Sequence, residues 1–355
     1  MSYFEKMSIS GHEAVVFCHD GAAGLTAVIA IHSTALGPAL GGCRMWPFDS
    51  EEDAVEDALR LSQCMTYKNA AAGLNIGGGK AVIIGDPKKD KSEALFRAFG
   101  QYVRSLNGRY ITAEDVGTSV QDMEYIKMET DFVTGLSKGS GDPSPVTALG
   151  TAEGIKISVK HKLHKDSLKD ITIAVQGLGH VGSRLCDILH HEGARLIVTD
   201  IDGDRVDSVL SRCNARAVGR DEIFTVDAEV FAPCALGAIV NDDTIGGMKF
   251  QIIAGAANNQ LRDEDRHSAA LAAKDILYAP DFIINAGGVI SVYFEAIGDY
   301  DAATVTRKAQ NIYCTLDEVY RIASAEGIST VRAAKRLAER RMDVIGNIHR
   351  KYFPA

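Results

Sequence analysis

The sequence predicts an α/β protein of two domains, on three observations. Short β-branched apolar stretches alternate with helically periodic ones. They do so in two separate series, and a Gly/Ser/Pro-rich stretch stands between the series. A chain of 355 residues has the length for about two domains.

In the first series, residues 25–32 (LTAVIAIH) read as a buried strand. Residues 51–63 put Val55, Ala58, Leu59 and Ser62 at helical spacing. Ser50 is placed to cap that helix, and Glu51, Glu52 and Asp53 suit the positive end of its dipole. Residues 80–85 (KAVIIG) read as a second strand. Residues 93–106 carry Leu95, Phe96, Phe99, Val103 and Leu106 on one helical face. Residues 109–116 (RYITAEDV) read as a third strand running into a loop.

Residues 135–146 (GLSKGSGDPSPV) have the composition of a hinge or boundary. A helix from about 147 to 161 leads into the second series, with strands at 171–176, 196–199, 230–233, 252–254 and 276–278. Strands spaced by helical segments imply parallel βαβ units with right-handed crossovers. From Asp301 on the pattern is wholly helical, and residues 332–348 form a charged amphipathic helix. The domains are expected at 1–140 and 147–325, with the helical segment 326–355, short tail 351–355 included, returning to the first domain.

Composition excludes several classes of function. A net charge of −9 argues against a nucleic-acid partner, whose phosphates require a basic face. No stretch reaches the roughly 18 apolar residues of a membrane span, and residues 1–6 do not read as a signal peptide. A cytoplasmic protein is expected. The seven cysteines form no CxxC pair and read as buried, reduced thiols. His161 and His164 lie in a polar stretch, and His190 and His191 point to different faces of any helix, so no metal site is expected.

The sharpest motif is Gly177-Leu178-Gly179-His180-Val181-Gly182, a GxGxxG that follows the strand ITIAVQ and opens a helix. Gly177 permits the tight turn, Gly179 lets a pyrophosphate approach the backbone, and Gly182 lets the helix pack on the strand. The phosphates then meet the positive end of the helix. Asp200 follows 23 residues after Gly177, at the end of the next strand. A carboxylate there accepts from ribose hydroxyls and repels a 2′-phosphate, which favours NAD over NADP. Arg205 stands near enough in sequence to receive a 2′-phosphate, so NADP stays open. This second domain is therefore expected to be Rossmann-like and to bind NAD.

Two lysines stand out in the first domain. Lys80 follows Gly77-Gly78-Gly79, but a P-loop needs a glycine where Leu74 stands and Ser or Thr where Ala81 stands. The glycines are expected instead to let a small substrate approach the backbone. A lysine opening a buried strand is unusual, and burial or a second cation such as Lys68 would make it a usable base. The bland alternative is a snorkelling lysine at a strand end. Lys68 alone reads as a solvated helix-end lysine, and Asp115 alone as a turn former. Two lysines and an aspartate at one cleft would suit an amino acid: one cation for the carboxylate, one base for water, one group to shuttle protons.

With those residues in place, GPALGGCR (37–44), MTYKNA (65–70), GGGKAVIIGDP (77–87), TAEDVGT (112–118), PCALG (233–237), AGAANNQL (254–261) and NAGGVI (285–290) together resemble the Glu/Leu/Phe/Val amino-acid dehydrogenases. The resemblance spans nearly the whole chain, in order. It implies an N-terminal α/β substrate domain, a C-terminal Rossmann-like domain, a closing cleft between them, and a homo-oligomer, dimer or octamer. It implies that Lys68 binds the substrate carboxylate, that Lys80 is the general base and that Asp115 assists proton transfer. Asn259 would contact substrate, while Thr147, Asn258 and Asn285 hold the nicotinamide side. Ile201, Cys234 and Ala235 complete the implied cofactor set.

The same resemblance bears on the substrate. Glutamate-using members place a lysine where Leu40 stands and a serine where Val292 stands. An unpartnered buried carboxylate is costly, so glutamate is disfavoured. The implied side-chain pocket is Leu40, Gly41, Ala113, Val289 and Val292, which suits leucine, isoleucine, valine and their 2-oxo acids, with ammonia as co-product. The segment Val292-Tyr293-Phe294-Glu295 departs from the leucine-type pattern and keeps an aromatic substrate, phenylalanine or tryptophan, as the alternative. A non-enzymatic sensor of NAD and an amino acid would keep the GxGxxG but would have no need of Lys80 or Asp115.

Overall fold

The computed structural model describes residues 2–137 and 141–349. The chain divides into two units: Met1–Gly141 with Ser291–Tyr300 and Ala338–Ala355, and Asp142–Ile290 with Asp301–Leu337. The division falls inside the Gly/Ser/Pro-rich stretch, of which residues 138–140 lie outside the described residues, as does the tail 351–355.

The first unit runs α1 (Tyr3–Ser10), β1 (Ala14–Asp20), β2 (Leu25–Ser33), β3 (Ala39–Trp46), α2 (Glu51–Ala71), β4 (Gly77–Ile84), α3 (Glu93–Ser105), β5 (Tyr110–Glu114) and α4 (Val120–Lys127). Its sheet has the order β1-β2-β4-β3-β5. The pairs β1–β2 and β2–β4 are antiparallel, and β3 is parallel to both β4 and β5. Two of these strands escape the sequence reading. β1 is a half-exposed edge strand without clean alternation. β3 contains Gly41 and Gly42, which read locally as a loop. Ser50 does cap α2, accepting from the Asp53 N–H at 3.1 Å.

Side chains alternate across a strand, so each face of the sheet collects every second residue. One face packs Ile29, Ile31, Ala39, Cys43, Ala81, Ile83 and Tyr110 with Phe96 and Phe99 of α3 and Met123 of α4. The opposite face packs Val28, Ala30 and Val82 against Ala54, Val55, Ala58 and Leu59 of α2. By the same alternation Leu40, Arg44, Lys80 and Ala113 belong to the α2 face, and this is what gathers the chemistry.

The second unit begins with α5 (Ser144–Leu163), β6 (Thr172–Gln176), α6 (His180–His191), β7 (Arg195–Thr199), α7 (Gly203–Leu210) and β8 (Ala215–Ala217). It continues with β9 (Val230–Pro233), α8 (Asp242–Ile245), β10 (Ile252–Ile253), α9 (Glu264–Ala273), β11 (Leu277–Tyr278), α10 (Asp281–Ile284), α11 (Gly287–Ala296), α12 (Ala302–Gln310), α13 (Ile312–Glu326) and α14 (Thr330–His349). The sheet order is β11-β10-β9-β6-β7-β8, and all its pairs are parallel. That is a doubly wound sheet whose order reverses between β6 and β9, where such folds open a ligand crevice.

The units exchange chain at two helices. Residues 291–300, read from sequence as part of the second domain, group with the first unit. Glu295 explains this, because its Oε1 accepts the N–H groups of Gly135 and Leu136 at 2.8 and 3.3 Å. The C-terminal return begins at Ala338, inside α14, rather than at 326. The start of α14 stays with the second unit, where Thr330 donates to the Tyr278 carbonyl and Val331 enters the core. Its end belongs to the first unit, where Glu339 accepts from the Tyr67 hydroxyl at 3.0 Å and Arg341 donates to Asn75 at 2.8 Å.

Four of the seven cysteines are buried; Cys64 and Cys234 are half-buried, and Cys314, expected inside, is exposed. Among the described residues no helix is long and apolar enough to cross a membrane, and no His/Cys/Asp/Glu group could hold a metal ion.

Two buried histidines link α1 and α2 with the sheet, His32 reaching α2 through Nδ1 at 2.9 Å from the Thr66 hydroxyl. His12 Nε2 lies 3.0 Å from the Leu59 carbonyl and His32 Nε2 lies 2.9 Å from the Ser10 carbonyl. Carbonyls only accept, so both rings carry the Nε2 proton in their neutral forms. The rings meet edge-on with centroids 4.7 Å apart. Burial, then the neighbouring His32, pushes His12 down to about 4. A folded value below the unfolded one makes the neutral form part of the native state. Its stabilisation is complete above about pH 6.5 and is lost as pH falls toward 4, on the order of 3 kcal/mol in all. Urea unfolding between pH 7 and 4.5 should therefore show a steeper loss in the wild type than in His12→Gln. Equal slopes would remove His12 as the cause.

Candidate active site

The chemistry of the first unit gathers where β3, β4 and β5 lie side by side. Lys80 is the fourth residue of β4, paired with Ala30 in β2 and only 5% exposed. It is neither at a strand end nor snorkelling. Its Nζ lies 2.9 Å from Oδ2 of Asp115, the first residue past β5. The Thr118 hydroxyl fixes the Asp115 backbone by accepting its N–H at 2.9 Å and donating to the Cys43 carbonyl at the same distance.

A residue that the sequence reading did not single out completes this cluster. Arg44, on β3, places Nε 3.1 Å from the same Asp115 Oδ2 and Nη1 2.8 Å from Asp57 Oδ2 on α2. Asp57 Oδ1 in turn takes Arg60 at 2.8 Å. Burial works against the charge of Asp115, but Lys80 and Arg44 outweigh it and hold the carboxyl below its ordinary range. The signal for Arg44 was present in GGCR, but its meaning depends on register. The pairs Gly42↔Ala113 and Cys43↔Glu114 are what bring Arg44 abreast of Asp115.

The glycines before Lys80 serve packing, which corrects the expectation of substrate access. Gly77, Gly78 and Gly79 are all buried. A Cβ on Gly78 would lie 2.1 Å from the Thr66 nitrogen, and one on Gly79 would meet the Tyr110 ring at 2.8 Å. Their smallness draws α2 and β5 close around the lysine. Gly41 belongs to the same device: a Cβ there would sit 1.7 Å from the Gly79 carbonyl. Leu40, 1% exposed, and Ala113, 8% exposed, stand on adjacent strands of the α2 face. Lys68 is half-buried in the last turn of α2, where a cation suits the helix dipole.

In the second unit the GxGxxG takes the shape its context predicts. Gly177 has φ +93°, and a Cβ there would lie 2.7 Å from that of Ala235, so Cys234 and Ala235 close one side of the turn. A Cβ on Gly182 would meet the Gly177 carbonyl at 1.9 Å. Above Gly179 the nearest atom is Arg205 Nη1 at 3.8 Å, so the turn is open there. The N-terminus of α6, His180 and Val181 included, has no side-chain cap. Its first N–H groups are left for an anion. Asp200 braces the loop by accepting from the Leu178 N–H at 2.5 Å and the Asp202 N–H at 2.9 Å, and a carboxylate has lone pairs to spare. Ile201 beside it is 83% exposed. An open glycine turn, an uncapped helix and an acid at the next strand end fit a dinucleotide.

Asn285 lies 5% exposed after α10, donating to Asn258 Oδ1 at 2.7 Å while its own buried Oδ1 has no partner. Asn259 is exposed, with φ +50°. Thr147 sits in the first turn of α5 against Gly287 and Gly288, whose lack of a Cβ allows that approach. Val289 and Val292, one helical turn apart on α11, are both half-buried.

Residues 12–132 match the family model described as Glu/Leu/Phe/Val dehydrogenase, dimerisation domain, and residues 202–344 match Glutamate/Leucine/Phenylalanine/Valine dehydrogenase. The chain belongs to the Glu/Leu/Phe/Val dehydrogenase family. Within that family it is 55% identical to the leucine dehydrogenase of Bacillus subtilis, over 97% of this chain and 94% of the relative. It is 48% identical to a phenylalanine dehydrogenase of Caldalkalibacillus thermarum, over 98% and 95%. The solved L-tryptophan dehydrogenase of Nostoc punctiforme superposes with a TM-score of 0.90 at 46% identity, covering 98% of this chain and all of that one. The protein is thus an amino-acid dehydrogenase built for a nicotinamide cofactor.

Proposed function

We propose that the protein catalyses the reversible, NAD-dependent oxidative deamination of L-leucine, and also of valine and isoleucine, to the 2-oxo acid, ammonia and NADH. The observation that carries this is the pair of buried Lys80 and half-buried Asp115 on the sheet face that also carries the apolar Leu40 and Ala113. An apolar floor rejects a side-chain carboxylate, which would lie there unpaired. Support comes from relatives of 53–55% identity named leucine dehydrogenase, against 48% for the aromatic ones.

The turn Gly177–Gly182 and the start of α6 would hold the pyrophosphate, Asp200 the adenosine ribose, and Thr147, Asn258 and Asn285 the nicotinamide end. Ile201, Cys234 and Ala235 would border the dinucleotide. When bound, NAD would supply the acceptor for the hydride that leaves the substrate Cα. Lys68 pairs with the substrate α-carboxylate, and Asn259 orients the substrate. Asp115, held ionised by Lys80 and Arg44, takes a proton from the α-ammonium group. Lys80 Nζ takes a proton from the water that adds to the substrate's C=N bond. Lys80 passes its proton to solvent and then takes the hydroxyl proton of the resulting carbinolamine, while Asp115 returns its proton to the nitrogen; the C–N bond breaks, leaving the 2-oxo acid and ammonia. Leu40, Gly41, Ala113, Val289 and Val292 would shape the side-chain pocket. The protein is expected to act as a homo-oligomer in the cytoplasm, consistent with a dimerisation-domain model over residues 12–132.

The test is NADH formation with a panel of L-amino acids at alkaline pH. The highest kcat/KM is expected on leucine, isoleucine or valine. One or two methylenes change apolar-pocket binding by only about 1–3 kcal/mol, so activity should overlap among them. Highest kcat/KM on phenylalanine or tryptophan would replace the substrate assignment and leave the chemistry standing.

A further inference from the structure

We infer that Arg44 is a positioning residue that sets the protonation of Lys80 through Asp115, and that Asp57 sets the strength of that effect. The inference rests on the amino-acid dehydrogenase reading and deepens it. Lys80 and Arg44 converge on one oxygen, Asp115 Oδ2, at 2.9 and 3.1 Å. A carboxylate shared by two cations stabilises each less than a carboxylate owned by one.

The consequence for a general base is direct. Lys80 works only when its ammonium has lost a proton. Alone with Lys80, the Asp115 charge would hold that proton in place. Arg44 neutralises part of the charge and lets it go. Asp57, at 2.8 Å from Arg44 Nη1, offsets part of the Arg44 charge and anchors the guanidinium in its fork. The side chains of Arg44, Asp57 and Asp115 are only 22, 13 and 23% exposed, so water screens the series weakly.

The elements packed around Lys80 carry further ionisable groups: α2 has Glu51, Glu52, Asp53, Glu56, Cys64 and Tyr67, and β5 has Tyr110, which burial keeps protonated, and Glu114, whose carboxyl burial pushes up. β3 adds the Cys43 thiol, which burial keeps protonated. β2 adds His32, which burial keeps neutral. α2 adds Lys68 and Arg60, the latter paired with Asp57.

Two substitutions should move the base in opposite directions. Arg44→Met leaves Asp115 to Lys80 alone. The acid limb of the kcat/KM profile should then move up by about one pH unit, and kcat at neutral pH should fall about 10-fold or more. KM for the amino acid and NADH affinity by fluorescence should stay within about threefold. Asp57→Asn leaves Arg44 uncompensated, and the acid limb should move down by a few tenths of a unit. Arg44→Lys, which restores a charge without the fork, should recover the limb position in part. A merely structural role would lower Tm and active fraction without opposite shifts. If both acid limbs stay within 0.2 unit of the wild type in folded variants, the inference is wrong.

Trace acetylation of Lys80 against pH, read by mass spectrometry of its peptide, gives the same titration without turnover. A wild type inactive on every amino acid would sink the functional reading. The acetylation profiles of the two variants would then decide the Arg44 inference alone, opposite shifts supporting it and coincident profiles overturning it.

Discussion

Lys80→Ala is expected to lower kcat by at least about 10³-fold while NADH binds as in the wild type. General-base catalysis by a positioned side chain contributes about 10²–10⁴-fold, and here no second base stands at the same place. Asp115 would remain, but Arg44 still holds its Oδ2 at 3.1 Å, and a carboxylate paired with a guanidinium is a weak base. The fold should survive, because Asp115 keeps that guanidinium and is not left a buried, unpaired charge. Cofactor binding should survive because the glycine turn belongs to the other unit. Lys80→Met, which fills the volume, separates loss of chemistry from loss of packing. Steady-state NADH formation and fluorescence titration of NADH decide the matter. Turnover within tenfold of the wild type in either variant would end the assignment of Lys80 as the base.

The same residue shows how far the sequence could be read. The second unit was legible almost strand by strand, because a parallel βαβ series writes each strand as a local apolar run and its nucleotide turn as a contiguous motif. Only β8, three residues at the sheet edge, was passed over. The first unit is harder because its sheet is mixed. β3 is a strand through Gly41 and Gly42, and it is a strand only because β4 offers Gly79 across from it. No local property of GPALGGCR says so. Lys80 and Asp115 were visible as unusual residues, one opening a buried strand and one at a strand end; that Lys80 lies inside β4 was not visible.

The role of Arg44, though the residue stood in GGCR, was hidden for a physical reason. Its partner is 71 residues away in one direction of contact and 13 in the other. Both contacts exist only once β3 lies in register with β5 and α2 lies over the sheet. Periodicity reports which face a residue takes; it does not report what it meets there. The glycines before Lys80 teach the same lesson. They looked like room for a substrate and proved to be room for Thr66 and Tyr110.

Gly182→Ala should do to the cofactor what Lys80→Ala does to the chemistry. The added methyl would sit 1.9 Å from the Gly177 carbonyl and 3.2 Å from Cys234 Cβ. Neither neighbour can swing away. The carbonyl belongs to the turn itself, which the Gly177 N–H anchors to the Thr199 carbonyl at 2.8 Å, and Cys234 is fixed by its N–H to the Gln176 carbonyl at 2.7 Å. The helix α6 must therefore lift off β6, and its uncapped N–H groups leave the position where a phosphate meets them. Over-packing of this kind destabilises by about 1–3 kcal/mol, which for a unit of this size lowers Tm by roughly 2–10 °C. NADH affinity should fall about 10- to 100-fold, more than stability alone accounts for, because the displaced atoms are the ones that bind. At saturating NAD the amino-acid KM should stay near its wild-type value, since Lys68, Lys80 and Asp115 are untouched. Fluorescence titration of NADH beside a melting curve separates the two effects. Unchanged NADH affinity in a folded Gly182→Ala protein would show that the dinucleotide does not bind over this turn.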